Sequence, residues 1–565
     1  MQRNYFFTGL LIAYFIFPLH ATGQQQTDPL WFKKSIIYNL DVHTYKDSND
    51  DGMGDFRGLT EQLGYLKDLG VDVLWLAPFQ PSPMEDDGYD VADYYKIDSL
   101  CGTKEDFKAF MEQTRRLGLK VITDVVLNHT SDKHPWFVQA STDTTSKYYN
   151  WYSWTRKRPS NYNEGMAFPG VQKEIWTYVP SAKAYYYHRF YEFQPDLNFR
   201  NPAVQAEGKR ILAYWLQQGV DGFRLDAVPF MLEDAVPGED KPPQNYTLLY
   251  NYSKFVKSKN KTAVLLGEAN VSPEQNKKYF GKQGDGLQMM FNFYVNQYLF
   301  YALATGKTGL LQKALITTRE HPANTQFAYF LRNHDEIDLG RLTKEQREEV
   351  NKVMGPEKDM QLYDRGIRRR LAPMLNNDPK LLGMAYSFLM ALPGTPVIRS
   401  GDEIGMGDDL NLKERIAVRT PMQWSDADNA GFTSAKKPFR PVISKGEYSY
   451  KKVNVERESA DSNSLLTQVK RLVQIRKSCP EVGQGSWKLL DVGDSSVVAF
   501  QYNLKGRKVI TLHNFSKTPT HATIKLPGST TLNCLNLHND LLPSSTGKYD
   551  IELEGYGYRW FTTSK

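Results

Sequence analysis

The chain has 565 residues, of which 41% are hydrophobic, 24% charged and 13% aromatic. That length exceeds one ordinary domain and that apolar share builds a large core, which excludes a disordered chain. The 70 basic and 64 acidic residues, net +6, are spread along the sequence, so no basic stripe marks a nucleic-acid partner. The densest basic run, Arg368-Arg369-Arg370, is read as a solvated helix face.

The N-terminus carries an address. Arg3, an apolar run from Tyr5 to Leu19, and Ala21-Thr22-Gly23 have the order of a secretory leader cut near Gly23, with export to the periplasm or cell exterior. The run is shorter than the roughly 20 residues a membrane span needs, and no later stretch is apolar enough. The three cysteines, Cys101, Cys479 and Cys534, are too few for a disulfide framework.

After the leader, strand and helix patterns alternate. Ser35–Tyr45, Val71–Phe79, Leu119–Leu127, Val220–Val228, Ala263–Asn270, Leu287–Phe293, Phe327–Asp335 and Thr395–Gly401 read as eight strands. Helical patterns lie between most of them, including Leu59–Leu69, Glu105–Leu117, Pro202–Gln218 and Leu381–Leu392, with Ser464–Ser478 closing the set. Such alternation predicts an α/β fold, a (β/α)8 TIM barrel over residues 24–128 and 196–480. The segment 129–195, rich in Trp, Tyr and Ser, is too long for a connection and predicts a small inserted domain after strand three. A second insert, Leu342 to Asn376, looks helical and charged. From residue 481 onward, short alternating strands such as Ser496–Tyr502 and Lys508–Asn514 predict a C-terminal antiparallel β domain, 481–565.

Three predicted strands end in acids: Gly222-Phe223-Arg224-Leu225-Asp226, Leu266-Gly267-Glu268-Ala269-Asn270 and Arg332-Asn333-His334-Asp335. A buried acid is costly unless it is paired or used. Barrel active sites sit at the C-terminal strand ends, where all three fall. Cleavage of a glycosidic bond with retention needs a carboxylate nucleophile and a protonated carboxyl roughly 5–5.5 Å away. Arg224, two residues before Asp226, points to the same face and would keep Asp226 ionised. Glu268 then takes the acid/base role, and His334 and Asp335 grip sugar hydroxyls. Asp124 reads as a structural acid at the end of strand three.

These segments resemble the α-amylase family, glycoside hydrolase family 13, over nearly the whole mature chain. Asp124-Val125-Val126-Leu127-Asn128-His129 and Asp86-Asp87-Gly88-Tyr89-Asp90 complete the match. The resemblance implies a (β/α)8 barrel, a domain B after strand three and a C-terminal β domain. It implies Asp226 as nucleophile, Glu268 as general acid/base and Asp335 as transition-state stabiliser. It further implies that Asp86, Tyr89, His129, Arg224 and His334 hold the glucose unit beside the scissile bond, with Arg419 on the substrate side. The implied substrate is maltose or an α-gluco-oligosaccharide.

Gln194-Pro195-Asp196-Leu197-Asn198 resembles the marker of the oligo-1,6-glucosidase subgroup. Tyr185–Phe190, Gly366–Pro373 and Gly401–Asp408 are similar to trehalose synthases, which implies isomerisation of maltose with the glucosyl–enzyme captured by the retained glucose. The alternatives are a secreted α-glucosidase or α-amylase, and a non-catalytic sugar-binding or transporter-associated relative. Arg399-Ser400 stands where trehalose synthases usually carry an aromatic pair.

Asp47-Ser48-Asn49-Asp50-Asp51-Gly52-Met53-Gly54-Asp55 alternates oxygen donors around a glycine turn, which suits a hard cation. The same pattern serves a polar loop whose side chains cap backbone amides. The family resemblance implies structural calcium held by Asp47, Asn49, Asp51, the Met53 carbonyl and Asp55. It also implies a second cation site using Asn128 and Glu233, with Gly170 where a domain B acid is expected.

Overall fold

A computed structural model describes Met1 and residues 28–564, apart from 234, 240–241, 527–529, 538–539 and 543–545. The leader segment lies outside the described residues. Eight parallel strands close into a barrel in strict chain order: β1 Ile37–Leu40, β2 Val73–Leu76, β3 Lys120–Val125, β4 Gly222–Leu225, β5 Val264–Gly267, β6 Met289–Phe291, β7 Gln326–Phe330 and β8 Thr395–Arg399. Closure is made by β1 against β8, with Ile37 opposite Val397 and Asn39 opposite Arg399. Each strand is shorter than its apolar run, because the last residues of each run leave the ladder to form the loops above the barrel. After β1, for instance, Asp41 accepts from the His43 amide at 3.0 Å and turns the chain into a 3-10 helix, Val42–Thr44.

Alternate residues on each strand face inward. Ile37, Val73, Trp75, Ile122, Val264, Leu266, Met289, Phe291, Ala328, Phe330 and Val397 fill the interior, so the barrel is a packed core and not a pore. Helices sheathe the outside. Lys104–Arg116 starts at a capping box between Thr103 and Asp106, and Pro202–Gln217 starts with Asn201 as its cap and proline in its first turn. The pattern over Leu59–Leu69 predicts one helix; the structure holds two, Phe56–Glu61 and Leu63–Leu69, because Gln62 leaves helical dihedrals at φ −92°, ψ 1°.

Between β3 and β4 the chain leaves the barrel. There it forms helix Pro135–Thr142 and a three-stranded sheet of Trp154–Thr155, Ala184–Tyr187 and Trp176–Val179. The insert after β7 is only half helical. Lys344–Met354 is followed by Gln361–Leu362 and Gly366–Ile367, and Gly366–Ile367 pairs antiparallel with Gln361–Leu362 on one side and Ile337–Asp338 on the other. The reading of Arg368-Arg369-Arg370 as a solvated face is overturned: Arg368 and Arg370 are buried. Arg368 donates to the carbonyls of Asp359, Leu410, Leu412 and Glu414; Arg369 and Arg370 pair with Asp408 and Asp402. This run is a rivet that pins residues 402–414 to the barrel.

The C-terminal domain packs a five-stranded antiparallel sheet on a two-stranded one, Thr520–Lys525 with Lys548–Leu553. It rests on the helix Pro379–Ala391, buried from Leu381 onward, where Ser387 accepts from the Trp560 indole at 2.9 Å and meets His513 at 3.0 Å. Arg476 joins the closing helix Leu465–Ser478 to the end of that helix, donating to the carbonyls of Met390 (2.6 Å), Leu392 (3.0 Å) and Gly394. Arg476→Leu leaves buried carbonyls without donors and is expected to cost about 3 kcal/mol. A denaturation midpoint within error of wild type, at unchanged slope, would contradict that role.

Candidate active site

Arg224 is the penultimate residue of β4 and points into the barrel, 1% exposed. Its Nη1 meets Asp124 Oδ1 at 2.7 Å and Asp226 Oδ1 at 2.5 Å, while its Nη2 meets Glu268 Oε2 at 2.9 Å. One guanidinium thus gathers the acids that end β3, β4 and β5. Just after Asp226 the backbone turns through a left-handed residue, Ala227 (φ 47°, ψ 39°), an uncommon conformation for a side chain with a Cβ. The turn aims the Ala227 amide at Glu268 Oε2, 3.1 Å away. Asp124 also accepts from the Trp75 indole and the Tyr89 hydroxyl, each at 3.0 Å, so it is a satisfied support beneath the site.

The third acid has a different setting. Asp335 Oδ1 is held by Arg415 at 2.8 Å and Arg419 at 2.9 Å, and its Oδ2 lies 3.2 Å from His334 Nε2. Tyr89 stacks on His334, with centroids 5.2 Å apart and planes 7° apart, and its hydroxyl bonds His334 Nε2 at 2.6 Å. Asp86 binds Arg415 at 2.7 Å and the Gln194 amide at 3.0 Å. His129 bonds the Tyr89 carbonyl at 3.0 Å.

These groups line a cavity of about 450 Å³ at the C-terminal end of the barrel, a volume suited to a small ligand. Asp226, Glu268, Asp335, Asp86, Tyr89, His129 and His334 all face it. Arg224 and Arg419 do not: Arg224 lies below, and Arg419 binds Asp335, Asp87 and the His334 carbonyl from behind. Arg415 and Arg365, which the sequence reading missed, are the arginines in the wall. No local pattern announces Arg415: it lies in the 3-10 helix Glu414–Val418, of which Arg419 is the C-cap. Phe190, Phe230, Asn270, Glu336 and Asp338 also line the wall and were missed as well.

Electrostatics separate the acids. Burial raises Asp226 to about 6 against the pull of Arg224, so the expected full stabilisation of its charge by that guanidinium is corrected. Burial raises Glu268 further, to about 7, with the charges of Asp226 and Asp335 adding to the rise; 24% of its side chain remains open to the cavity. Burial also opposes ionisation of Asp335, but the guanidinium charges of Arg415, Arg419 and Arg224 outweigh it and hold that carboxyl far below the usual range. Burial lowers His129 to about 4 and His334 well below its usual value, so both rings are neutral at pH 7. Near pH 6.5 (between about 6 and about 7), an ionised Asp226 therefore faces a protonated Glu268. That is the pairing double displacement requires.

The Asp47–Asp55 loop uses its oxygens on itself. Asp47 accepts from the amides of Asn49, Asp50 and Gly52 and from the Thr433 hydroxyl; Asn49 accepts from Asp51, Asp51 from Met53, and Asp55 from Ser48 and Gly58. Among the described residues, no three His, Cys, Asp or Glu side chains converge as a metal nest. Carboxylate oxygens keep a second lone pair, so the set still fits a hard cation if Asn49 Oδ1 and the Met53 carbonyl join it. At the implied second site, Glu233 is ion-paired to Arg189, and the Asn128 amide reaches His129 Nδ1 at 3.2 Å. There a guanidinium fills the place of a cation, and Gly170 contributes no acid.

Residues 41–485 match the family model for the alpha amylase catalytic domain. The chain belongs to the α-amylase family. Residues 506–562 match a sucrose hydrolase-like C-terminal domain. A trehalose synthase of Thermus thermophilus is 38% identical over 94% of this chain, which spans 56% of that protein's length. The trehalose synthase/amylase TreS of Mycobacterium tuberculosis is 36% identical over 94% of this chain and 90% of its own. Among solved structures, the α-amylase from H. orenii superposes with a TM-score of 0.76 at 28% identity, covering 94% of this chain and 100% of that one.

Activity is expected to rise as Asp226 ionises through about pH 6 and to fall as Glu268 ionises through about pH 7. Glu268→Gln removes the titrating acid, so the alkaline limb should vanish while kcat/KM drops about 10²–10⁴-fold. An unchanged pH profile in that variant would reject Glu268 as the acid.

Proposed function

We propose that this protein isomerises maltose to trehalose by double displacement at Asp226, a reading supported by its likeness to proteins named trehalose synthases. Asp226 attacks the anomeric carbon and Glu268 protonates the leaving oxygen. Asp335, ionised on its two arginines, stabilises the positive charge that develops on the sugar. Glu268, now a carboxylate, then deprotonates a hydroxyl of the retained glucose, which displaces Asp226.

The observation that carries isomerisation over hydrolysis is the roof of the cavity. The excursion after β3 and the insert after β7 meet above the pocket. Phe168 stacks on Tyr363 at 4.6 Å, and the Tyr191 and Tyr363 hydroxyls bond each other at 3.1 Å. Both hydroxyls reach Glu414, and Arg365 donates to the Ala167 carbonyl at 2.9 Å. A roof of this kind keeps water from the glucosyl–enzyme while the freed glucose turns over. Incubation with maltose should give trehalose as the main product, with glucose minor. Glucose alone would replace this reading with an α-glucosidase, and mid-chain shortening of starch with an α-amylase. Asp226→Asn should abolish turnover with thermal unfolding intact; residual wild-type turnover would reject the nucleophile assignment.

We also propose that the Asp47–Asp55 loop takes calcium in a structural role, supported by its alternating oxygen donors. Calcium at about 100 times its Kd would add about 2.7 kcal/mol of stability. Thermal unfolding should therefore shift upward when calcium follows chelation, and Asp51→Ala should blunt the shift. A melting curve indifferent to chelator and calcium would remove the ion.

A further inference from the structure

Asn270 lies two residues past Glu268, beyond the end of β5, and lines the cavity beside it. Its side-chain amide is anchored at both ends. Nδ2 donates to Asp338 Oδ2 at 2.6 Å, and Oδ1 accepts from Arg341 Nε at 3.2 Å. Arg341 Nη2 also donates to the Asn270 carbonyl at 3.0 Å, so one guanidinium forks onto the side-chain and main-chain oxygens of a single residue. Arg341 stands behind the wall, outside the cavity, between Ile337–Asp338 and the helix Lys344–Met354. Its own backbone amide donates at 2.7 Å to Oε1 of Gln297, buried on the helix Phe293–Thr305.

A side-chain amide has two N–H donors and two lone pairs on its oxygen. Anchored in this way, Asn270 keeps one N–H and one lone pair for a ligand, and its amide cannot turn over to exchange them. Without the guanidinium only the Asp338 contact remains, and the amide plane is free to swing about it. The wall continues upward from there. Asp338 lies 3.5 Å from Arg365 Nε, and Arg365 donates to the Ala167 carbonyl in the roof. Asn270, Asp338 and Arg365 thus run from the general acid to the roof, the part of the cavity next to the oxygen that Glu268 protonates.

Building on the isomerase reading above, we propose that Arg341 is a positioning residue for the retained glucose. It fixes the Asn270 amide as a hydrogen-bond partner of that sugar, and so sets how the glucosyl–Asp226 ester is divided between sugar and water. In either outcome the bond from C1 to the Asp226 carboxyl breaks, Asp226 leaves as a carboxylate, and Glu268 takes the proton of the attacking hydroxyl. That hydroxyl belongs to the retained glucose when trehalose forms and to water when free glucose forms. A glucose held by a fixed amide stays to present its anomeric hydroxyl; one without that hold departs, and water takes its place.

The test compares wild type with Arg341→Met and Arg341→Lys. It measures the trehalose and glucose formed from maltose, kcat/KM for p-nitrophenyl α-glucoside, and Tm. The aryl glucoside loads Asp226 without a sugar as leaving group, so it reports on the acids alone. Arg341→Met should raise the glucose-to-trehalose ratio about tenfold, roughly the worth of one hydrogen bond to the sugar, while kcat/KM for the aryl glucoside falls far less. Arg341→Lys offers a single nitrogen in place of the fork. It should raise the ratio by less, and it keeps the test decisive if Arg341→Met does not fold. A ratio unchanged in both variants, with wild type making trehalose, would overturn the role of Arg341 alone. So would an equal fall in both reactions, which marks a residue that only supports the fold. Wild type that yields glucose alone would instead remove the isomerase reading, and this proposal with it.

Discussion

The site depends on one guanidinium shared by three carboxylates. Arg224 sits at the centre of the barrel's upper layer, in contact with Asp124, Asp226 and Glu268. Without it, three acids at the ends of adjacent strands would repel one another in a region that strips them of water. With it they crowd into one small volume, still short of full compensation. Three acids cannot be neutralised by one cation, so burial wins at Asp226 and Glu268 and both are pushed up. The deficit is useful. It favours the proton on Glu268, the more exposed of the two, and the charge on Asp226, the closer of the two to Arg224.

Asp335 shows the opposite balance. Two guanidinium groups hold it, and Asp87, itself kept at about 2 against the cost of burial by Arg440 and Arg419, anchors Arg419 from below. The result is a permanently charged acid on one side of the cavity and a proton-sharing pair on the other. Catalysis that builds positive charge on a sugar ring gains from a fixed anion whose orientation is already set. The arginines behind Asp335 pre-orient that anion, so the cost of ordering it is met in the fold.

The barrel was legible because each strand is a short apolar run that a barrel must bury on both faces, as Val264–Gly267 and Thr395–Arg399 are. The three acid-ended segments were legible for the related reason that a charge closing such a run has no cheap place to go. What escaped reading were residues whose role is set by contacts far away in sequence. Arg415 lies in a segment without period or motif, and reaches Asp335 and Asp86 across 80 and 329 positions. Arg368–Arg370 misled because a charge run is ordinarily solvated; only the folded 402–414 segment supplies the carbonyls and acids that bury it. The loop at Asp47 was ambiguous in sequence because an Asx-turn ladder and a cation loop share the same alternation of oxygens.

The same arginine run explains how a roof can be built over the cavity from two separate excursions. Arg368 and Arg369 fix the segment that carries Glu414 and Arg415. Glu414 then receives the hydroxyls of Tyr191, from the excursion after β3, and Tyr363, from the insert after β7. Arg415, one residue on, reaches down to Asp335 and Asp86. Roof and floor are therefore joined through two consecutive residues. Opening the roof far enough to admit water would pull on Glu414, and so on the arginine that orients Asp335. An enzyme wired this way loses transition-state stabilisation when it opens, which favours transfer to the retained sugar in the closed state over hydrolysis in the open one.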